Sequence, residues 1–211
     1  MSKVMSEDGR SILLSGMRLS FAEGIKDKKI VKGVEGGTPK YNFNLINETD
    51  GKNFKVNDKL IITAMEAAGE VTWKKKNAHE QIFDDNPKRI CYKNGNRFKS
   101  AESGEIYAGY EGNKAMSCGT PGGGQKRPKL MDRRKRPVSE EDILDVFYSG
   151  CYVDAVVSFF GTDKGGKGIF CTVDAIRSHE EGERLGGGGI RVEEDDFDDL
   201  EDSAGDDDMF D

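Results

Sequence analysis

Aromatic and basic side chains lie close together in the stretch between residues 73 and 110. Trp73 is followed by three lysines, and Phe98 stands between two bases. A single nucleic-acid strand is bound by these side-chain types, because cations neutralise phosphates and rings stack on unpaired bases, at about 1–3 kcal/mol per base. The pattern, with two bases from a later segment, predicts a nucleic-acid-binding surface. Its members are Trp73, Lys74, Lys75, Lys76, Lys88, Arg89, Tyr92, Lys93, Arg97, Phe98, Tyr107, Lys126 and Arg127.

The rings of this surface have a second interpretation, because aromatic side chains also dominate hydrophobic cores. Taken one at a time, each ring is explained at least as well by a core position. Trp73 and Phe98 are the best candidates for exposure, since each adjoins a base in a polar segment. The lysines alone would equally describe a solvated face.

A second basic segment, Lys126–Arg136, carries seven bases in eleven residues and follows the glycine-rich Gly119–Gly124. Bases beside such a loop can follow a phosphate backbone, with an affinity that falls as salt rises. An ordinary solvated loop, or a contact for the acidic end of the chain, explains the segment as well. A third basic segment, Lys164–Lys167, is best explained as a hairpin turn, because no Walker-type Gly-Lys-Ser/Thr is present there.

The C-terminal segment Glu193–Asp211 contains twelve acidic residues and no base. The other 192 residues hold 27 acids against 32 bases, so a body of net charge +5 is joined to a tail of −12. Apolar residues within the acidic tail favour docking into a basic-rimmed apolar pocket of a partner protein. The alternative is a tail that only solvates the protein. The predicted partner-binding residues are Asp206, Asp207, Asp208, Phe210 and Asp211.

Catalytic and metal-binding patterns are not discernible in the sequence. The two histidines, His79 and His179, have no cysteine near them, so a zinc site would need ligands brought together by the fold. No Ser-His-Asp or Cys-His arrangement appears. We therefore expect no enzyme activity, no catalytic residue and no cofactor. The four cysteines form no Cys-x-x-Cys pair, and disulfides are not expected in a reducing compartment.

The elements that must position these residues are mostly strands. In Cys151–Phe159 every odd-numbered residue is apolar, and the alternation resumes at Ile169 after a turn marked by Gly165 and Gly166. Two earlier strands are predicted over Ser11–Ala22, with a bulge at Gly16, and over Pro39–Glu48. Shorter strand pieces are predicted at Ile106–Tyr110 and Lys114–Cys118.

One main helix is predicted over Asn57–Trp73, where apolar residues recur at spacings of three and four and Asn57 caps the first turn. One helix among short alternating strands favours a mainly β fold, a small β-barrel, over residues 1–185. Residues 186–211 are predicted to be a glycine hinge followed by a disordered acidic tail. The chain has no run of about 18 apolar residues and its start, MSKVMSEDGR, lacks a signal-peptide core, so we expect an intracellular protein without a membrane contact.

Five runs of residues are distinctive: RLSFAEG near the start, YAGYEGNKAMSCGT midway, and YSGCYVDAVVSFF, GIFCTVDAIRS and EGERLGGG towards the end. In these runs the chain resembles the phage single-stranded-DNA-binding protein family. The resemblance covers most of the chain and implies an OB-fold-like β-barrel with an acidic C-terminal tail. The long stretch Ala78–Gly104 and the bases of Arg133–Arg136 depart from the family pattern.

The resemblance also implies a function. Such proteins coat and protect single strands during phage DNA replication, recombination and repair, without reading sequence, in the cytoplasm of the infected host. Their tails recruit replication or recombination proteins and compete with DNA for the groove. A homodimer is one option for the assembly.

Two other classes of protein fit the residues alone. The first is a non-DNA interaction protein whose acidic tail clamps basic partners while the body is only a scaffold. The second, more distant, is a metal-dependent nuclease. Binding of labelled single and double strands would separate the three readings.

Overall fold

The computed structural model of the chain describes residues 1–30 and 37–186. Within them, eight strands form one sheet: β1 Lys3–Val4, β2 Ser11–Ser20, β3 Phe43–Asn47, β4 Tyr92–Asn94, β5 Lys114–Cys118, β6 Lys129–Met131, β7 Tyr152–Thr162 and β8 Gly168–Glu180. The same residues contain five helices: α1 Glu23–Lys26, α2 Phe54–Trp73, α3 Ala78–Asp85, the glycine turn α4 Pro121–Gly124, and α5 Ile143–Val146. Short 3₁₀ turns cover Pro87–Arg89 and Gly95–Arg97.

The predicted acidic tail lies outside the described residues. The predicted partner-binding residues lie outside them too; these are Asp206, Asp207, Asp208, Phe210 and Asp211. Among the described helices, none combines the length and the apolar character needed to cross a membrane.

The β7–β8 hairpin contains the two longest strands of the sheet, and it follows the predicted alternation. Its inward side chains are fully or almost fully buried, and all four cysteines of the chain are buried and free. The two strands pair antiparallel from Tyr152↔Glu180 to Thr162↔Gly168. Gly165 and Gly166 turn the chain between them, with φ values of +73° and +100° that favour glycine.

The sheet has the order β4-β5-β3-β2-β7-β8-β6, with β1 paired to β2. Among the described strands, the ladders do not close into a ring. Two isolated parallel bridges, Ile90↔Ile169 and Gly119↔Thr172, nevertheless connect the β4–β5 end to β8. The fold is therefore mainly β and OB-like, as predicted, with a barrel that is open rather than fully closed.

Gly16 interrupts β2 where the prediction places a bulge. Its φ is +67°, and the register against β7 shifts between Leu14 and Met17. Ile12 and Leu14 are buried before the bulge, whereas Met17 and Leu19 are buried after it. The extra residue thus exchanges the face of the strand that points into the core.

The main helix, α2, begins three residues earlier than predicted. Asn57 does not cap it: Asn57 is buried inside the helix, and its side-chain amide donates to the carbonyl oxygen of Ser15 at 3.0 Å. The helix ends at Trp73; the next residue, Lys74, has a left-handed backbone, and its N–H donates to the carbonyl oxygens of Glu70 and Gly69. Its apolar face, with Ile61, Ala64, Met65 and Ala68, belongs to the main core cluster.

The polar stretch Ala78–Gly104 contains elements that the sequence did not predict. It forms α3 and β4, and α3 packs on α2. This packing needs Gly69, because a Cβ there would lie 2.6 Å from the carbonyl oxygen of Lys75. The predicted strand piece Ile106–Tyr110 is wrong, since only one bridge, Lys99↔Ile106, forms there.

Candidate nucleic-acid interface

Phe21 is an exposed ring at the end of β2. It has a φ of +58°, which is strained for a residue with a side chain, and 38% of its surface is accessible. Its ring meets that of Tyr107 edge to face, with centroids 5.0 Å apart. The left-handed turn thus takes Phe21 out of the core and places it beside a second aromatic ring.

Tyr107 is held in place by a small second core. Its ring lies 5.9 Å from that of Tyr110, which is fully buried and packs against Phe98 and Ile46. The hydroxyl of Tyr110 accepts from the amide of Asn44 at 2.8 Å. The exposed Phe21 therefore rests on Tyr107, which is half-buried against this second core.

A cleft of about 430 Å³ opens beside this aromatic pair. Two lysines from separate segments, Lys29 and Lys99, line it together with the amide side chains of Asn42 and Asn44. Lys29 is held by an antiparallel bridge to Lys40. We call this site the Phe21 cleft; it combines one exposed ring, cations and amide hydrogen-bonding groups, with Glu23 as the acidic residue in its lining.

Two of the predicted rings lie in the core. Tyr92 is 4% exposed, and its hydroxyl donates to Asp58 at 2.8 Å while accepting from Asn47 at 3.0 Å. Burial, reinforced by the bond to Asp58, raises the pKa of Tyr92 well above its ordinary value. Phe98 is 8% exposed, so the expectation that it escapes the core is wrong. Neither ring presents a free face to a base in this structure.

Trp73 is partly buried at the end of α2. Its indole N–H donates to both carboxylate oxygens of Asp163, at 3.0 Å each, and Lys167 lies 6.0 Å from its ring centroid. Trp73 therefore ties α2 to the tip of the β7–β8 hairpin. The three lysines that follow are exposed at the same end of the helix, and one of them, Lys75, donates to Gln81 at 2.5 Å.

Lys88 is exposed, whereas Arg89 is fixed against the hairpin tip. The Arg89 guanidinium donates to the carbonyl oxygens of Lys164 at 2.8 Å and of Gly166 at 2.5 Å. It also lies over the ring of Phe170, 4.9 Å from the centroid. The structure thus brings Trp73, Arg89 and the hairpin tip together.

Lys93 and Arg97 lie apart from this group. The Lys93 ammonium donates to the carbonyl oxygens of Pro87 and Ile90 at 3.2 and 3.3 Å, and burial lowers its pKa. Arg97 is exposed and covers the ring of Phe83 at 5.0 Å. Both cations therefore already have contacts within the protein.

Lys126 and Arg127 also differ from each other. Arg127 forms a two-pronged ion pair with Glu140 and donates to the carbonyl oxygen of Ile25 at 2.9 Å, so its charge is largely neutralised. Lys126 is exposed to solvent. Lys28 lies over the ring of Tyr41, with its Nζ 5.4 Å from the ring centroid.

The sequence did not identify Phe21, Lys29 or Lys99 as site residues. Phe21 continues the apolar alternation of β2 and so resembles a core position. Phe21 is exposed because β2 ends at Ser20. The residue types around position 21 do not indicate that the strand ends there. Lys29 and Lys99 are 70 residues apart in the sequence, and only the fold brings them to one cleft.

Comparisons with known proteins add an independent finding. A family model described as "Enterobacter phage Enc34, ssDNA-binding protein" matches residues 10–210. The "Putative protein p50" of Acyrthosiphon pisum secondary endosymbiont phage 1 is 34% identical over 124 residues, which are 57% of this chain. That match spans 60% of the relative, less than two thirds of its length.

Solved structures of similar fold include the single-stranded DNA-binding protein from bacteriophage Enc34. In its complex with ssDNA it aligns with a TM-score of 0.62 and 21% identity, covering 84% of this chain and 90% of that one. A second structure of that protein aligns with a TM-score of 0.62 and 20% identity, covering 89% of each chain. These likenesses show the shared fold. Because the family model extends over residues 10–210, the chain belongs to the Enterobacter phage Enc34 ssDNA-binding protein family.

Proposed function

We propose that this protein binds single-stranded DNA without reading its sequence, and that the Phe21 cleft is a principal contact. The observation that carries the proposal is the exposed ring of Phe21, packed on the half-buried Tyr107, beside two lysines from separate segments. Membership in a family described by ssDNA binding supports it.

The cleft offers each kind of contact that an unpaired strand needs. A base can stack on the exposed face of Phe21, while Lys29 and Lys99 lie within the same cleft to neutralise phosphates. Every base has a π-face, so stacking of this kind tolerates any sequence. The asparagine amides can donate and accept hydrogen bonds with base edges.

The strained backbone of Phe21 supports the same proposal. A residue with a side chain held at φ +58° costs of order 1–3 kcal/mol, and such strain clusters at binding sites. Phe21 gains only part of the stabilisation that full burial would give, since 38% of its surface is accessible. A base stacked on the ring would add to it.

Replacement of Phe21 tests the proposal. Phe21→Ala should weaken binding of a dT oligonucleotide by roughly tenfold or more, because one stacked base is lost. Phe21→Tyr, which keeps the ring, should retain the affinity. The matched control is Val56→Ala, which removes an exposed apolar side chain of α2 that does not line the Phe21 cleft. If the Phe21→Ala protein is folded and binds dT as tightly as the wild type, the Phe21 cleft is not a principal DNA contact.

We further propose that the acidic segment 193–211 has two roles. It competes with DNA for the cationic surface of the body, and it recruits replication or recombination proteins through Phe210 and the acids beside it. The opposite charges of body and tail support the first role. Apolar residues within the negative charge support the second. In this proposal the protein protects single strands in the cytoplasm of an infected host.

A further inference from the structure

A second cluster of rings and cations surrounds the tip of the β7–β8 hairpin. Phe160 is 40% exposed and pairs across the strands with Phe170, with ring centroids 6.3 Å apart. Arg89 covers Phe170, and the exposed Lys164 and Lys167 belong to the turn. We call these five residues the hairpin patch.

The hairpin patch is built rigidly for a surface feature. Arg89 holds the carbonyl oxygens of Lys164 and Gly166, and Trp73 holds the carboxylate of Asp163. The tip therefore has a fixed conformation before any ligand arrives. A turn held this way loses little conformational entropy on binding.

The charge of the hairpin patch favours an anionic occupant. Lys164 and Lys167 are exposed, and within the described residues neither forms an ion pair. One carboxylate, Asp163, belongs to the same turn and accepts from the Trp73 indole, so the three cations Arg89, Lys164 and Lys167 exceed it in charge. Lys74 and Lys76, exposed after Trp73, add positive charge at the same end of α2.

The hairpin patch and the Phe21 cleft lie at opposite ends of β2. Phe160 lies two residues beyond the Ser11↔Ser158 pair at the start of β2, whereas Phe21 follows its last residue. The ten residues of β2 span about 30 Å. The two clusters are thus separate sites at the two ends of one strand rather than parts of one pocket.

We propose that the hairpin patch is a second contact for the same DNA strand that occupies the Phe21 cleft. Bases stack on Phe160, and Lys164 and Lys167 neutralise phosphates. A strand long enough to reach both sites makes the second contact as an intramolecular event. It therefore binds more tightly than a strand that reaches only the Phe21 cleft. This inference rests on the proposed function. In it Arg89 belongs to the patch and shapes it, whereas Trp73 and the lysines after it border the patch.

Oligonucleotide length tests the inference. Full-length protein is titrated with dT oligonucleotides of about 4 and about 16 nucleotides, the two ends of the range that one OB fold covers. Phe160→Ala and the double variant Lys164→Glu/Lys167→Glu are compared with Lys55→Glu/Lys59→Glu, a matched charge reversal on an exposed part of α2. Thermal unfolding confirms that each variant is folded.

We expect the hairpin variants to weaken binding of the longer oligonucleotide by roughly tenfold and to leave the shorter one unchanged. The slope of log binding constant against log salt concentration for the longer oligonucleotide should also fall in magnitude, by about 1.4 for the two lysines. Unchanged binding of the longer oligonucleotide would overturn the inference. An equal loss at both lengths would overturn it too, because the patch would then be the primary contact. Phe21→Ala reports separately on the proposed function, since it should weaken both lengths.

Discussion

At the scale of single residues, Asp154 is the most constrained charge in the protein. It is 4% exposed in β7, and it accepts from Ser15 Oγ at 2.7 Å, from the backbone N–H of Gly16 at 3.1 Å, and from Arg177. His179 lies 2.9 Å from the same carboxylate. Burial raises the pKa of Asp154, but these hydrogen bonds and charges outweigh it and the net pKa lies below the ordinary value.

Asp154→Asn should lower the free energy of unfolding by about 2–3 kcal/mol at pH 7, because it leaves Arg177 without its buried partner. The folded-state pKa is depressed, so the contribution of Asp154 is complete above about pH 4 and is lost as the pH falls through the folded-state value. Urea titrations at pH 7 and pH 3 should therefore show a difference that shrinks at the lower pH. Asp174→Asn, an exposed carboxylate in β8, should change stability by less than about 0.5 kcal/mol. A pH-independent difference would contradict this assignment.

Individual rings show where sequence reasoning about this site fails. Phe98 adjoins polar residues, which favours exposure, and Phe21 ends an apolar alternation, which favours burial. In the structure Phe98 is buried and Phe21 is exposed. Phe98 is buried because the 3₁₀ turn before it directs the ring towards Tyr110. Phe21 is exposed because of one backbone angle. Neither cause is visible in residue type or spacing.

At the scale of elements, the sequence predicts the long strands and the main helix correctly, because each carries a strong apolar period. The β7–β8 hairpin follows its alternation closely. In β2 the bulge at Gly16 is predicted, but its consequence is not: the buried residues are even-numbered before the bulge (Ile12, Leu14) and odd-numbered after it (Met17, Leu19). A local change of register moves side chains between faces without changing composition.

Short elements escape prediction for a different reason. The 8-residue α3 is stabilised by packing on α2 through Gly69, a tertiary contact, rather than by a long apolar stripe of its own. β4 has three residues and is defined by its ladder with β5. These two elements fix Tyr92 and Lys93, so the sequence could not place those candidate residues correctly.

At the scale of the whole molecule, the division of charge governs how the proposed function responds to salt. The body carries +5 and the segment 193–211 carries −12. Deletion of this segment should tighten binding of single-stranded DNA at low salt, because a tethered competitor at an effective concentration of order millimolar is removed. Titrations of full-length and truncated protein should converge above about 0.15 M salt, where the Debye length is roughly 8 Å.

Phe210→Ala separates the two roles proposed for the tail. It keeps every charge, so competition with DNA should persist while docking of a partner protein is lost. Equal low-salt affinities with and without the segment would leave a tail that only solvates the protein.

The central claim is that this protein binds an unpaired strand by stacking its bases on exposed rings. The most direct test is a fluorescence anisotropy titration of the full-length protein with a single-stranded oligonucleotide and with the duplex of the same sequence, in one buffer at about 0.15 M salt. We predict that the single strand binds at least about tenfold more tightly, because duplex bases are already stacked and cannot use Phe21. Equal affinity for the two forms would contradict the account, since it would mean that phosphates alone are recognised.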